Sequence, residues 1–382
     1  MTIGRSILAS LLVAVAVLGS ARAAEPITII AAFDLTGGSA VLDEPSYNGA
    51  LLAVEEINRQ GGLLGRQVEL VPVDTASMPG VVAKRIEAAL VANPDAVAGL
   101  GYNDSTEALA AGRVFQAHGL PFVSTGATDP AVPAEVGDLL FYAAYGDNVQ
   151  AAAMAAFVSR QLELERVAVW ADDSRDYTRT VGRDFAQSFG ALGGKIVLRR
   201  ADDGAADFAA FVAELKTAEP APQAVYLASM PEDAPDVIRA VRTAGIALPL
   251  LSGDGWDADT VVALSKAEKL GGIYFTTHRF LGVDTPATKA FVAAYTARFD
   301  AHPPNAFAPL GYDAVGLLAD AIRRAGSTDP AAIRDALAAT RDFAGVVGEI
   351  GYEPGERVPG KAVSVIVVEN GVETLRWVAP AP

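Results

Sequence analysis

The chain has 382 residues, of which 51% are hydrophobic and 20% charged, with a formal net charge of −16 and no cysteine. That length and hydrophobic share are enough for two domains with separate cores and exclude a disordered chain. The acidic balance repels phosphate backbones and so excludes nucleic acid as a partner, while the lack of cysteine excludes disulfides and thiolate chemistry.

Residues 1–23 read as a secretory signal peptide. Arg5 supplies a basic start, 7–18 an apolar core too short to span a membrane, and Ala21-Arg22-Ala23 a small-x-small cleavage signal. No cysteine follows the apolar core, so a lipoprotein anchor is not expected. No later apolar run approaches the ~20 residues of a spanning helix, and the expected product is free and soluble outside the inner membrane.

From residue 27 onward, strand and helix patterns alternate. Residues 27–33 form a β-branched apolar run, the mark of a strand covered on both faces. Small, turn-permissive residues then break it. Over 47–58, Tyr47, Ala50, Leu51, Val54 and Ile57 fall on one helical face, Gly61-Gly62 stop the helix, and 67–73 form a second strand. Such a unit belongs to a parallel sheet, whose ligands sit outside the carboxyl ends of the strands. The loop 34–42 lies at such an end and is the first candidate wall of a binding site.

A helix over 81–91, a strand at 96–99 and a helix over 106–118 capped by Asp104 or Ser105 follow. A strand at 121–123 opens into the loop 124–130, completing four steps of a Rossmann-like sheet. Residues 141–147 read as a link, after which the rhythm restarts. Helices over 148–161, 178–189, 206–216 and 234–244 alternate with strands at 166–170, 195–198, 224–227 and 249–251. A strand over 272–276 marks a crossover, and helices over 286–299, 307–325 and 330–338 come next. Strands at 363–368 and 374–378 flank Asn370-Gly371, a strong hairpin signal. Two copies of one α/β plan, joined by more than one crossing, describe a bilobed protein with a cleft.

The three histidines, His118, His278 and His302, are far apart in sequence, lack metal-ligand spacing, and read as surface or loop histidines. There is no GxSxG elbow, P-loop or GxGxxG. Asp172-Asp173 and Asp202-Asp203 read as solvated turns. Nothing argues for an enzyme, a cofactor or a metal site. What remain are the strand-end loops 101–104, 125–128, 172–177 and 252–257. Their small residues let a ligand approach the backbone, and the helix N-termini that follow favour a carboxylate. Asp254, between two glycines, is placed to meet an ammonium; buried, such a charge-assisted bond contributes about 1.5–3 kcal/mol. Each loop alone is equally ordinary turn chemistry, and their shared position raises the joint reading above that.

Several motifs resemble one family, the type I periplasmic solute-binding proteins of the branched-chain amino acid (Leu/Ile/Val-binding) group. They are Asn48-Gly49-Ala50, Ala53-Val54-Glu55-Glu56-Ile57-Asn58, Gly61-Gly62-Leu63-Leu64-Gly65-Arg66, and the stretches 146–154, 253–257, 310–315 and 325–330. The similarity runs over about 27–375. It implies an α/β fold of two Rossmann-like lobes joined by three crossovers, 24–144 plus 277–351 and 145–276 plus 352–382, closing on a small-molecule solute. It also implies a monomer in the periplasm that delivers its solute to an inner-membrane ABC permease and its ATPase, without a cofactor. By position, Asp254 resembles the family's acidic partner of the ligand ammonium. Gly126 and Thr128 match the loop that holds the ligand carboxylate, and Tyr177 matches the aromatic that closes over it.

The chain departs from that pattern where the family has Pro (Asp34), an aromatic (Leu42), small residues (Tyr102 and Asn103) and often an aromatic (Met230). Neutral drift explains any one of these; five together argue against an unmodified Leu/Ile/Val pocket. The expectation is an amino-acid handle partly kept through Asp254 and Thr128, with a reshaped side-chain end. There Tyr102 would add bulk and Asn103 a donor as well as an acceptor. A small amide, a polar amino acid or an aromatic acid would suit that change. The rival reading is a ligand-sensing subunit that presents its closed form to a membrane receptor.

Overall fold

The computed structural model describes residues 25–204 and 207–382; the expected signal peptide lies outside them. The first lobe opens with β1 (Ile27–Phe33), α1 (Ala40–Arg59), β2 (Val68–Asp74), α2 (Val82–Ala92) and β3 (Ala98–Gly101). It continues with α3 (Ser105–Ala117), β4 (Phe122–Ser124), α4 (Val132–Val136) and β5 (Leu140–Tyr142). These strands make one wholly parallel sheet in the order β2-β1-β3-β4-β5. β1 shows why an uninterrupted apolar run is needed. Ile27, Ile29, Ala31 and Phe33 enter the core shared with α1, whereas Ile30 and Ala32 enter the core on the opposite face. Period-two alternation here sorts apolar side chains between two cores.

The second lobe contains α5 (Asp147–Arg160), β6 (Arg166–Asp172), α6 (Asp176–Ala191), β7 (Lys195–Asp202), α7 (Phe208–Leu215) and β8 (Ala224–Ala228). After them come α8 (Ala234–Thr243), β9 (Leu250–Ser252), α9 (Asp259–Glu268) and β10 (Ile273–Thr277). The chain then returns to the first lobe for α10 (Pro286–Phe299), α11 (Phe307–Ala325), α12 (Pro330–Ala338) and the small hairpin β11 (Phe343–Gly345) and β12 (Gly348–Ile350). It crosses a third time to add β13 (Val363–Glu369) and β14 (Val372–Ala379) antiparallel at the sheet edge. The second sheet runs β14-β13-β10-β9-β8-β6-β7.

Three local features differ from the sequence-based expectation. β5 occupies part of the stretch read as a link, and the β11–β12 hairpin was not anticipated. More important for the site, α1 starts at Ala40, so Leu42 belongs to a helix rather than to a loop. Pro45 obscured that start, because a proline removes the donor to the carbonyl four residues back. That carbonyl, on Val41, accepts instead from Asn305 Nδ2 at 3.0 Å. Asp104 is the cap of α3, its Oδ1 accepting from the Glu107 amide at 3.1 Å.

Candidate functional site

The strand ends of the two sheets face each other. From the first lobe come the turns after β1, β3 and β4, the first turn of α1 and the start of α11. From the second come the turns after β6, β8 and β9. They enclose a cavity lined by Ser39, Leu42, Asp43, Asn103, Asp104, Thr128 and Phe307 on one side and Tyr177, Met230, Pro231, Asp254 and Gly255 on the other. Its free volume is about 20 Å3, room for roughly one water. Entry of any solute therefore requires the lobes to part. The closed arrangement is held by bonds between lobes: the Asp176 amide donates to Thr106 Oγ1 at 3.1 Å, and Thr180 Oγ1 donates to Asp129 Oδ2 at 2.8 Å. Depressions of about 550 and 700 Å3 elsewhere do not gather the strand-end loops.

Of the expected site residues, Leu42, Asn103, Thr128, Tyr177, Met230 and Asp254 line this cavity, while Asp34, Tyr102 and Gly126 do not. Gly101 (φ +144°) and Tyr102 (φ +56°) reverse the chain after β3. The Tyr102 ring consequently turns into the core between the sheet and α2 and α3, its hydroxyl 2.9 Å from Thr75 Oγ1. It adds no bulk to the cavity. Asp34 is fully buried behind the wall, where its Oδ1 accepts from Thr75 Oγ1 and the Ser77 amide, both at 2.7 Å. Gly126 acts through its missing side chain: a Cβ there would lie 2.3 Å from Asn103 Oδ1 and 2.8 Å from the Phe307 ring. Its smallness lets those two residues reach the cavity.

Asp254 is buried, and both its oxygens are engaged. Gln150 Nε2 donates to Oδ1 at 2.7 Å and His278 Nε2 donates to Oδ2 at 2.8 Å. A carboxylate can only accept, so the imidazole proton is assigned to Nε2. His278 is thus no surface histidine but a buried positioning residue, stacked on Tyr145 at 4.0 Å between centroids. Gln150 reaches further, donating to Asp147 Oδ1 at 2.8 Å and accepting from Thr276 Oγ1 at 2.5 Å and from the Asp254 amide at 3.0 Å. Tyr177 packs beside this network, its hydroxyl accepting from the Gly255 amide at 2.9 Å. Asp172, read as a solvated turn residue, is also buried, and Oδ1 accepts from the Ser174 and Gly204 amides at 2.9 Å.

Ser39, Asp104 and Gly255 fall in the expected loops 34–42, 101–104 and 252–257 without having been singled out there, whereas sequence reasoning missed Asp43, Pro231 and Phe307 as wall residues. The one local signal was that Asp43 follows Leu42 directly. Phe307 comes from a distant crossing, and no neighbouring residue betrays it. Asp43 Oδ2 accepts from the Asp34 amide at 2.7 Å, and Oδ1 accepts from Asn103 N and Nδ2 at 3.2 and 2.6 Å.

Burial dominates the acid–base character of these groups. Burial and the neighbouring charge of Asp34 push Asp43 well above the usual carboxylate range. Burial, contact with Asp34 and the charge of Asp104 push Glu107 up to about 12. Burial raises Asp104 against the pull of Arg175. In the second lobe, burial and Asp254 raise Asp147, while burial and Glu373 push Asp257 to about 8. Burial lowers His278 despite its bond to Asp254.

Each raised carboxyl keeps, when folded, a proton that the unfolded chain has released. Its stabilising contribution is complete below about pH 4 and is lost as pH rises through the folded value. Asp138, lowered by its bonds from Gln116 and Arg334, and Asp202, lowered mainly by Arg200, lose their contributions only in stronger acid. The melting temperature is therefore expected to peak near about pH 4 and to be about 5 °C or more lower at pH 8. Calorimetric scans across this range test that; a flat profile would mean that the buried carboxyls ionise at ordinary values.

A family described as periplasmic binding protein matches residues 26–372. The leucine-, isoleucine-, valine-, threonine- and alanine-binding protein of Pseudomonas aeruginosa is 27% identical over 358 residues, 92% of each chain. A leucine-binding protein from Thermotoga maritima has a TM-score of 0.84 at 29% identity, covering 93% of this chain and 99% of its own. A branched-chain amino acid transporter substrate-binding protein from Streptococcus pneumoniae, in complex with isoleucine, has a TM-score of 0.84 at 29% identity, with 94% and 100% covered.

Proposed function

Since the chain belongs to the periplasmic binding protein family, in its branched-chain amino acid group, we propose that it is the solute-binding component of an ABC importer and captures an amino acid or related amine by closing its lobes. Members of this family bind solutes and do not transform them. The observation that carries the reading is the convergence of Leu42, Asn103 and Thr128 with Tyr177, Met230 and Asp254 on one cavity between the lobes. A solute that enters the open form and touches both walls gains contacts available only on closure, and so shifts the population toward the closed form. The closed form is then the one offered to an inner-membrane permease and its ATPase. Asp254, held by Gln150 and His278, is the anchor for the solute ammonium, since a carboxylate has further acceptor sites beyond the two in use.

A thermal-shift screen over amino acids, amides, amines and aromatic acids tests this. The cognate solute at about 100 times its dissociation constant adds about 2.7 kcal/mol to stability, an upward shift of several degrees that grows with concentration. If no solute in the panel moves the melting temperature, the solute-binding role is wrong.

A further inference from the structure

On the first-lobe wall of the cavity, the amides of the loop after β4 and the donors of Asn103 are satisfied internally, while a carboxylate oxygen and a hydroxyl are left over. In the loop after β4, the Gly126 amide donates to the Tyr102 carbonyl at 3.3 Å and the Ala127 amide to Ser124 Oγ at 3.3 Å. The amides of Thr128 and Asp129 both donate to Ser105 Oγ, at 3.3 and 3.0 Å. Asn103 gives its amide and its Nδ2 to Asp43, while its Oδ1 accepts from Thr125 Oγ1 at 2.8 Å. Against these, the cavity is lined by three carboxylates, Asp43, Asp104 and Asp254, and by no lysine, arginine or histidine. Asp104 Oδ2 and Ser39 Oγ are buried without any partner, and both residues line the cavity. The nearby cation, Arg175, stands 3.8–3.9 Å from Asp104, Glu107 and Glu232 and is shared among all three.

A zwitterionic amino acid that pressed its carboxylate against the loop after β4 would find the four amides of residues 126–129 already engaged. Burial opposes the charged form of Asp43 and Asp104, and a bound cation favours it where a neutral solute does not. Resting on the importer reading above, we propose that Asp104, Asp43 and Ser39 form a second cationic subsite, so that the solute is a small organic cation with a protonated amine or guanidinium at each end. Asp254 takes one end from the second lobe, and the Asp104 side takes the other. The donors are not arranged for a metal: among the described residues no group of three or more His, Cys, Asp or Glu is placed to hold one.

The test is calorimetric titration of the mature protein with 1,4-diaminobutane, agmatine, 1-aminobutane, leucine, benzoate and calcium chloride, repeated with Asp104→Asn. That variant keeps the oxygen that caps α3 and replaces the unpartnered oxygen with a donor. The expected result is that 1,4-diaminobutane or agmatine binds at least tenfold more tightly than leucine or 1-aminobutane. Asp104→Asn should weaken the two-ended cation at least tenfold and change 1-aminobutane less than threefold. Tighter binding of leucine or benzoate than of either two-ended amine overturns the inference and leaves the importer reading standing. So does binding of calcium in place of the amines, or an equal loss for one-ended and two-ended amines in the variant. Absence of binding by every amine overturns it as well, and the wider solute screen then decides whether the importer reading falls with it. Should Asp104→Asn fail to fold, the ranking of ligands on the unaltered protein decides alone.

Discussion

Asp254→Asn should weaken binding of the tightest amine found in the solute screen by roughly ten- to hundredfold, with little change in melting temperature. The size follows from losing one buried, charge-assisted hydrogen bond, about 1.5–3 kcal/mol, at 1.4 kcal/mol per tenfold. The fold is expected to survive because the amide keeps the carboxylate's shape. Its oxygen can still accept from Gln150 Nε2, now 2.7 Å from Oδ1, and its NH2 faces His278. The imidazole has only to exchange tautomers, accepting at Nε2 and carrying its proton on Nδ1, a buried atom with no partner in the structure. Removing a negative charge near Asp147 and Asp257, both raised in part by Asp254, offsets what is lost in those bonds. Affinity and stability thus separate in this variant. Unchanged affinity by calorimetry would remove Asp254 from the ammonium role and shift attention to Asp43 and Asp104. Asp254→Ala is a poorer test, since it strands Gln150 and His278 without their partner.

Gly311→Ala should destabilise the protein by about 3 kcal/mol or more, although alanine is the better helix former by about 1 kcal/mol. Helices α1 and α11 cross with their backbones in contact. A Cβ at Gly311 would sit 1.8 Å from the Ser46 carbonyl oxygen, and one at Gly49 would sit 1.8 Å from that of Ala308. Both glycines are buried. The obstruction is main chain rather than the end of a flexible side chain, so the helices themselves must separate. The consequences reach the cavity, because α1 presents Leu42 and Asp43 and α11 begins with Phe307. The variant is expected to unfold at a lower urea concentration and to bind its solute more weakly in proportion to the displaced wall. A stability change under about 0.5 kcal/mol would show that the crossing absorbs a methyl group.

The departures from the Leu/Ile/Val pattern look different once the side chains are placed. Leu42, Asn103 and Met230 do face the cavity. Asp34 and Tyr102 instead meet behind the wall, through their shared partner Thr75. A carboxylate and a phenol in positions the family fills with Pro and a small residue therefore alter the wall's support and charge, not its surface. The reshaping expected from bulk at Tyr102 does not occur; the change is one of electrostatics.

Much of the architecture was legible because strand and helix periodicities record burial locally. The run at β1 shows it, with alternate residues feeding two cores, and parallel strands then place a ligand at their carboxyl ends. On that basis alone, the chain order located the loops that hold Asn103, Thr128, Tyr177 and Asp254. Only the tertiary structure decided which way each strand-end side chain points. A positive φ at Gly101 and Tyr102 sends one ring into the core while its neighbour Asn103 turns to the cavity. It also decided that Asp254 is gripped by Gln150, 104 residues earlier, and His278, 24 residues later. Such pairings arise from where the crossings lay distant segments side by side. No local pattern encodes them, because what makes a histidine a positioning residue, or a carboxylate a demand for a cation, is burial among partners the chain reaches only when folded.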